Sequence, residues 1–191
     1  MLSVEQAWAL LHEAETLCSE SEVNAVIRRL AQELSVALGD RYPLLLCVMN
    51  GGVYFCGKLL SLLPFPLTLD YVHASRYGDG LAGCQVQWKV EPPPYVAGRD
   101  VLVIDDILDE GLTLQAIRER VLALGASSCR VAVLAEKRTG RPKPVVADYV
   151  GLLVPDRFVF GCGLDAYGCW RNLPAIYALK QSAIKDETKA S

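Results

Sequence analysis

The sequence predicts an α/β fold with a mainly parallel, twisted sheet that is flanked by helices. Short apolar segments typical of buried strands alternate with segments whose apolar residues recur at helical spacing. The apolar run at residues 101–104 has no polar interruption, which is typical of a strand covered on both faces. Because alternating strands and helices favour βαβ units, we expect the strands to be parallel.

The individual elements follow from the same spacing and from the positions of glycine and proline. The predicted helices cover residues 4–18, 21–38, 53–63 and 112–124. The predicted strands cover residues 44–49, 67–73, 86–90, 101–105, 130–135, 148–154 and 157–160. Residues 75–83 contain three glycines and are predicted to form a mobile loop or a hairpin tip. The polar tail after about Lys180 is expected to be frayed.

Composition favours a compact cytoplasmic protein. The 191 residues are enough for one sizeable core, so we expect a single domain over residues 1–191. The formal net charge of -3 argues against a broad nucleic-acid-binding face, and no apolar run is long enough to predict a membrane span. The seven cysteines form no C-x-x-C pair, so reduced thiols are expected and a zinc site is not.

Acidic residues and a glycine follow the predicted strand at residues 101–105 and indicate a site for phosphate and sugar. Open α/β sheets bind ligands at the carboxyl ends of their strands. The carboxylates of Asp105, Asp106 and Asp109 can accept hydrogen bonds from a vicinal diol or hold a divalent cation. Gly111 permits a tight turn, and the amides that open the next helix can hold a phosphate. The alternative is a solvated turn in which an aspartate caps the helix.

This segment resembles the phosphoribosyl-pyrophosphate (PRPP) motif of the phosphoribosyltransferases. Residues 105–113 read DDILDEGLT, and further motifs between about Leu44 and Arg171 resemble the hypoxanthine-guanine (6-oxopurine) branch. The resemblance implies the type I phosphoribosyltransferase fold, with a core at about residues 40–150 and a small cap from about residues 1–20 and 151–180. It also implies purine salvage, in which Mg²⁺-dependent transfer of 5-phosphoribosyl from PRPP to N9 of hypoxanthine or guanine gives IMP or GMP.

The resemblance implies a role for each residue of the motif. Asp105 and Asp106 hold the ribose hydroxyls and lie near the metal, and Asp109 is the catalytic acid or base at purine N7. The residues expected to surround the 5′-phosphate are Asp109, Glu110, Gly111, Leu112 and Thr113. Glu110 stands where the family often has Thr or Ser. We expect it to point outward, because an inward carboxylate would repel the phosphate.

Two further segments resemble loops that bind pyrophosphate, with substitutions. Asn50 and Gly51 match the pyrophosphate loop, but many relatives have Lys where this chain has Asn, which carries no charge. Ser75, Arg76 and Tyr77 match the flexible lid, in which a Ser-Tyr pair is usual. We expect Arg76 to replace part of the missing positive charge when the lid closes; the alternative is a solvated arginine on a loop.

The resemblance assigns the purine and metal contacts to the second half of the chain. Lys137 donates to the purine O6, Phe158 stacks on the ring, and Val159 offers backbone groups to the base edge. Asp165 lies beside the purine and is a magnesium ligand together with Asp105 and Asp106, while Arg171 binds pyrophosphate. From the residues alone, a lone lysine after a strand is usually solvated, and the favoured interpretation of Phe158 is ordinary strand core.

The implied partners are PRPP and a 6-oxopurine base, with no nucleic acid or membrane, and a homodimer or homotetramer as is common in the family. Two other functions stay open: a relative that prefers xanthine or another base, and a PRPP-sensing regulatory protein that binds RNA. The net charge and the presence of Asp109 and Lys137 weigh against the sensor. Residues 161–166 spell G-x-G-x-x-A, but no βαβ unit follows, so a dinucleotide site is not expected.

Overall fold

The computed structural model describes residues 2–77 and 85–180 and confirms the α/β prediction. Its α-helices are Val4–Glu13 (α1), Glu20–Leu38 (α2), Val53–Leu60 (α3) and Leu112–Ala123 (α4). Its strands are Glu15–Cys18 (β1), Leu44–Val48 (β2), Thr68–Tyr77 (β3), Gln85–Val90 (β4), Asp100–Leu108 (β5), Ser128–Arg138 (β6), Tyr149–Pro155 (β7), Val159–Phe160 (β8) and Ile176–Ala178 (β9). Within the described residues, no helix combines the length and the apolar character that crossing a bilayer requires.

A six-stranded sheet with the order β4-β3-β2-β5-β6-β7 forms the centre of the fold. All neighbouring strands are parallel except β4, which pairs antiparallel with β3 at one edge. Side chains of β2 alternate between two buried cores. Leu45 and Cys47 face the core that contains residues of α2 and α3, whereas Leu44 and Leu46 face the core that contains residues of α4. Helices therefore cover both faces of the sheet, which explains its uninterrupted apolar strands.

A second, antiparallel sheet with the order β1-β9-β8 is built from segments near the two chain ends. Helix α1 packs beside it, and the indole Nε1 of Trp170 donates to the carbonyl oxygen of Ala7 at 2.9 Å. The Arg157 guanidinium joins β1 to the end of β9 through the Glu15 carboxylate at 2.7 Å and the Leu179 carbonyl at 3.0 Å. These contacts hold α1, β1, the end of β9 and the loop between β8 and β9 together.

The predicted helix at residues 4–18 is wrong in its last turn. Helix α1 ends at Glu13, and residues 15–18 form β1, which pairs with the distant β9. The physical reason lies in the helix starts: Ser3 and Ser19 each form a capping box, so α2 has its own start signal directly after β1.

Three predicted strands are longer in the structure than their apolar runs, which moves site residues. Strand β5 extends to Leu108, so Asp105 and Asp106 lie inside the strand and not in a turn after it. Strand β6 includes Lys137, and β3 includes residues 75–77, which were predicted as loop. In each case pairing with a neighbouring strand continues past the predicted end of the strand.

Candidate active site

The carboxyl ends of β2, β3 and β5 and the start of α4 enclose a cleft of about 370 Å³. Parallel strands end at the same edge of a sheet, so residues far apart in sequence meet there. The predicted site residues that line this cleft are Asn50, Gly51, Ser75, Asp105, Asp106, Asp109, Glu110, Gly111, Leu112, Thr113 and Arg171. The structure thus brings the predicted PRPP-binding residues together in one place.

Two neighbouring carboxyl groups lie buried at the base of the cleft. Asp105 and Asp106 are each only 8% exposed, and the Asp106 amide donates to Asp105 Oδ1 at 2.9 Å, so the alternative of a solvated turn is wrong. Burial raises the pKa of both carboxyl groups, and the charge of Asp106 raises the pKa of Asp105 further. Nearby Arg171 acts in the opposite direction on both pKa values. A diol or a cation in the cleft would relieve the cost of ionising this pair.

The donor set fits a magnesium ion that is shared with a substrate. Within residues 2–77 and 85–180, no cluster of three or more His, Cys, Asp or Glu side chains could hold a metal ion unaided. Magnesium, however, is commonly bound by one or two carboxylates together with substrate phosphates and water. Asp105 and Asp106 provide such carboxylates in the cleft, and pyrophosphate oxygens would supply further ligands.

The start of α4 is suited to an anion. Gly111 is the N-cap residue with a φ of +85°, and no side chain caps the helix, so the expectation that an aspartate caps it is wrong. Backbone amides at an uncapped helix start, aided by the helix dipole, attract phosphate. Glu110 is exposed and also lines the cleft. The outward orientation of its carboxylate stays a prediction.

An ion pair joins the predicted catalytic residue to the predicted purine contact. Lys137 Nζ donates to Asp109 Oδ2 at 2.7 Å, and the Lys137 side chain is only 14% exposed. Lys137 is therefore not a solvated surface lysine. Asp109 lines the cleft, whereas Lys137 lines a second cavity of about 490 Å³, and the ion pair joins the two.

Arg171 reaches the cleft because the loop after β8 packs against the turn after β2. Arg171 Nη1 donates to the Gly163 carbonyl at 2.7 Å, and a Cβ atom on Gly163 would lie 2.1 Å from the Gly51 carbonyl oxygen. Arg171 Nη2 also pairs with Asp165 Oδ1 at 2.5 Å, and Asp165 Oδ2 accepts from the Gly168 amide at 2.8 Å. Asp165, which was predicted to bind the metal, thus forms an ion pair with Arg171, which was predicted to bind pyrophosphate.

The predicted stacking residue lies outside the residues that line the cleft. Phe158 is 38% exposed, so it is not buried strand core, and its ring stacks on Tyr167 with centroids 5.6 Å apart. Val159 is buried in β8. One face of Phe158 is therefore occupied by an aromatic ring that the sequence interpretation did not include.

A family model of the phosphoribosyl transferase domain matches residues 14–167. The chain belongs to the phosphoribosyltransferase family. A hypoxanthine-guanine phosphoribosyltransferase of Bacillus subtilis (strain 168) is 36% identical over 171 residues, which are 88% of this chain and 95% of the relative. A hypoxanthine-guanine-xanthine phosphoribosyltransferase of Tritrichomonas foetus is 34% identical over 87% of this chain and 91% of the relative.

Solved structures show the same similarity in three dimensions. A hypoxanthine phosphoribosyltransferase from Staphylococcus aureus superposes with a TM-score of 0.86 at 28% identity, covering 93% of this chain and 98% of that chain. The fold of this phosphoribosyltransferase is therefore the one that the sequence resemblance implied.

His73 is a cleft residue of this phosphoribosyltransferase that the sequence interpretation missed. It lies on β3 and lines the cleft together with Ser75, but it belongs to none of the motifs. Its position at the carboxyl end of a parallel strand was the available signal. Of the predicted lid, the backbone of β3 is described up to Tyr77, whereas the side chains of Arg76 and Tyr77 and the whole of residues 78–84 lie outside the described residues.

Replacing Gly51 with alanine is expected to damage the cleft. The added Cβ would lie 1.9 Å from Asp106 Oδ2, so the buried carboxylate or the turn must shift. We expect Gly51→Ala to lower the free energy of unfolding by about 1–3 kcal/mol and to weaken PRPP binding, as measured by chemical denaturation and calorimetry.

The matched control is Gly57→Ala in α3, where a Cβ meets nothing within 4 Å. It should raise the free energy of unfolding by about 0.5–1 kcal/mol. Equal effects of the two changes would contradict the close packing at Gly51.

Proposed function

We propose that this phosphoribosyltransferase transfers 5-phosphoribosyl from PRPP to N9 of hypoxanthine or guanine, giving IMP or GMP and pyrophosphate. The observation that carries the proposal is the ion pair between Lys137 and Asp109, a residue of the cleft that contains Asp105 and Asp106. It puts groups suited to a 6-oxopurine beside groups suited to a ribose phosphate. The names of the relatives, hypoxanthine-guanine and hypoxanthine-guanine-xanthine phosphoribosyltransferases, support the same class of base.

The cleft supplies complementary groups for each part of PRPP. The amides around Gly111 and the Thr113 hydroxyl would bind the 5′-phosphate, and Asp105 and Asp106 would accept hydrogen bonds from the ribose hydroxyls. Arg171 would bind pyrophosphate oxygens through its guanidinium fork, next to the turn at Gly51. When bound, Mg²⁺ would neutralise charge on the leaving pyrophosphate.

Selection of the base would depend on Lys137. Its ammonium group has three N–H donors, of which one is directed at Asp109, so further donors remain for the O6 oxygen of hypoxanthine or guanine. Adenine carries an amino group at that position, and two donors would then face each other without an acceptor. The face of Phe158 not covered by Tyr167 would stack on the purine.

The bond change requires a proton acceptor near the base. As N9 of the purine attacks C1 of the ribose and the bond to pyrophosphate breaks, the base loses a ring proton. The Asp109 carboxylate would receive this proton at N7, while its ion pair with Lys137 fixes its orientation.

A panel of bases tests this function. Protein, PRPP and Mg²⁺ are mixed with hypoxanthine, guanine, xanthine, adenine or uracil, and nucleotide is detected by chromatography. We expect product from hypoxanthine and guanine and none from adenine or uracil. Product from xanthine alone would replace the proposal with a xanthine-preferring enzyme. Binding of PRPP without any nucleotide, together with binding of RNA, would favour the regulatory protein.

We further propose that the protein self-associates through an apolar face between α3 and β3. Val53 and Leu69 are each 50% exposed there and Tyr71 is 47% exposed, beside a groove of about 330 Å³. Burying such side chains against a second copy would remove apolar area from water. Light scattering should give a mass of two or four chains, and Leu69→Asp should reduce it; a monomer at all concentrations would contradict this proposal.

We also propose a cytoplasmic location. The six cysteines within the described residues are all free thiols, which is typical of a reducing compartment. Cell fractionation should recover the protein with soluble cytoplasmic markers; recovery in an exported or membrane fraction would contradict it.

A further inference from the structure

Lys143 is a nearly buried lysine that neither lines the cleft nor appears in the motifs described above. Its side chain is only 11% exposed, and its ammonium group donates to three oxygen atoms. These are the Lys137 carbonyl at 2.7 Å, the Glu136 carboxylate at 3.0 Å and the Leu108 carbonyl at 3.1 Å. An ammonium group has three N–H donors, so this set uses all of them.

The three acceptors lie on the two strands that carry the candidate catalytic pair. Leu108 is the last residue of β5 and directly precedes Asp109, while Glu136 and Lys137 lie near the end of β6. Leu108 and Glu136 are register partners in the parallel pairing of these strands. Lys143 therefore holds the ends of β5 and β6 together at the point from which Asp109 and Lys137 extend toward each other.

The chain around Lys143 is stiff and packs on the phosphate-binding turn. Lys143 stands between Pro142 and Pro144, whose rings restrict the backbone. A Cβ atom on Gly111 would meet Val145 Cγ1 at 3.0 Å and Pro144 Cδ at 3.5 Å, so this loop already touches the turn. The two prolines fix the backbone from which the Lys143 side chain reaches its three acceptors.

We propose that Lys143 is a positioning residue that fixes the geometry of the Asp109–Lys137 pair without touching either substrate. The hydrogen bonds that Lys143 donates hold the Leu108 carbonyl, just before Asp109, and the Lys137 carbonyl in fixed positions. An error of about 1 Å in the placement of a reacting group can reduce a rate by about a hundredfold. The kinetic part of this inference rests on the proposed function; the structural part does not.

The test uses Lys143→Met, which keeps the length and loses the charge and the donors. We expect kcat for IMP formation to fall about 10- to 100-fold and the KM for hypoxanthine to rise. The KM for PRPP should stay within about twofold, because the contacts of Pro144 and Val145 with the phosphate turn remain. Arg141→Met, a change at an exposed residue of the same loop, is the matched control and should leave all three constants unchanged.

A double-mutant cycle separates positioning from general stability. In an Asp109→Asn background, Lys143→Met should lower kcat by less than about twofold, since the proton acceptor that it positions is already absent. An undiminished second loss would overturn the proposal, because Lys143 would then act by another route. Should Lys143→Met fail to fold, Lys143→Gln, which keeps a polar head, is used in the same measurements.

Hydrogen–deuterium exchange supplies a readout that is independent of activity. The amides of residues 109–113 should exchange several times faster in Lys143→Met than in Arg141→Met. If the unsubstituted protein forms no nucleotide, the proposed function fails, and exchange alone then decides the role of Lys143. Unchanged exchange in this segment would overturn the inference.

Discussion

Asp109→Asn is expected to lower kcat for nucleotide formation by about 10²- to 10⁴-fold. Asparagine preserves the shape of the side chain and can still accept the hydrogen bond that Lys137 Nζ donates at 2.7 Å. It cannot receive the proton that the purine loses. The change therefore removes proton transfer while it keeps the local geometry, and steady-state kinetics with hypoxanthine measure the loss.

The PRPP affinity and the KM for the base show whether Asp109→Asn impairs catalysis or binding. PRPP affinity, measured by calorimetry, should change by less than about threefold, because the substitution keeps the backbone amides of the phosphate turn and the buried Asp pair. Glu119→Gln is the matched control, since Glu119 is an exposed carboxylate on α4 whose Oε1 accepts from Gln115 Nε2 at 2.8 Å. If Asp109→Asn raised KM for the base and left kcat unchanged, Asp109 would be a binding residue and not the catalytic acid or base.

Asp105→Asn is expected to have opposite effects on function and on stability. PRPP affinity should fall about 10- to 150-fold, because a hydrogen bond to a charged group contributes about 1.5–3 kcal/mol. The Tm of the free protein should nevertheless rise at about pH 7.5. The amide replaces a carboxyl group that burial and the neighbouring Asp106 make costly to ionise.

The expected rise in Tm follows from the pH dependence of stability. Burial raises the pKa of Asp105 in the folded state, so the unfolded chain loses its proton first as the pH rises from about 4. The wild-type protein therefore loses stability between the unfolded pKa and the raised folded pKa, and the variant loses less. The difference in Tm between the two proteins should shrink as the pH falls toward about 4. A variant with the lower Tm at all pH values would show that the carboxylate stabilises the free fold.

The candidate site was the most predictable part of this chain from sequence. The carboxylates, the glycine and the helix start of residues 105–113 lie within nine consecutive positions, so the local sequence alone indicates that they are near one another. The alternation of strands with helices also predicted the parallel sheet. Both patterns depend on neighbours along the chain, which is the information that a single sequence carries best.

Features that depend on distant partners could not be predicted in this way. Residues 15–18 continue the apolar spacing of α1, and only pairing with β9 at the far end of the chain makes them a strand. The lengths of β5 and β6 follow from their mutual pairing and not from their apolar runs. The contacts of Lys143 could not be predicted for the same reason. Its three acceptors lie on β5 and β6, and the sequence around Lys143 does not indicate that it meets these strands.

The most direct test of the account is a crystal structure of the protein with PRPP, Mg²⁺ and an unreactive 6-oxopurine analogue. The 5′-phosphate should lie on the amides around Gly111, the ribose hydroxyls on Asp105 and Asp106, and the purine O6 within hydrogen-bonding distance of Lys137. PRPP bound elsewhere, or a purine that leaves Lys137 and Asp109 paired with each other and out of contact with the base, would contradict it.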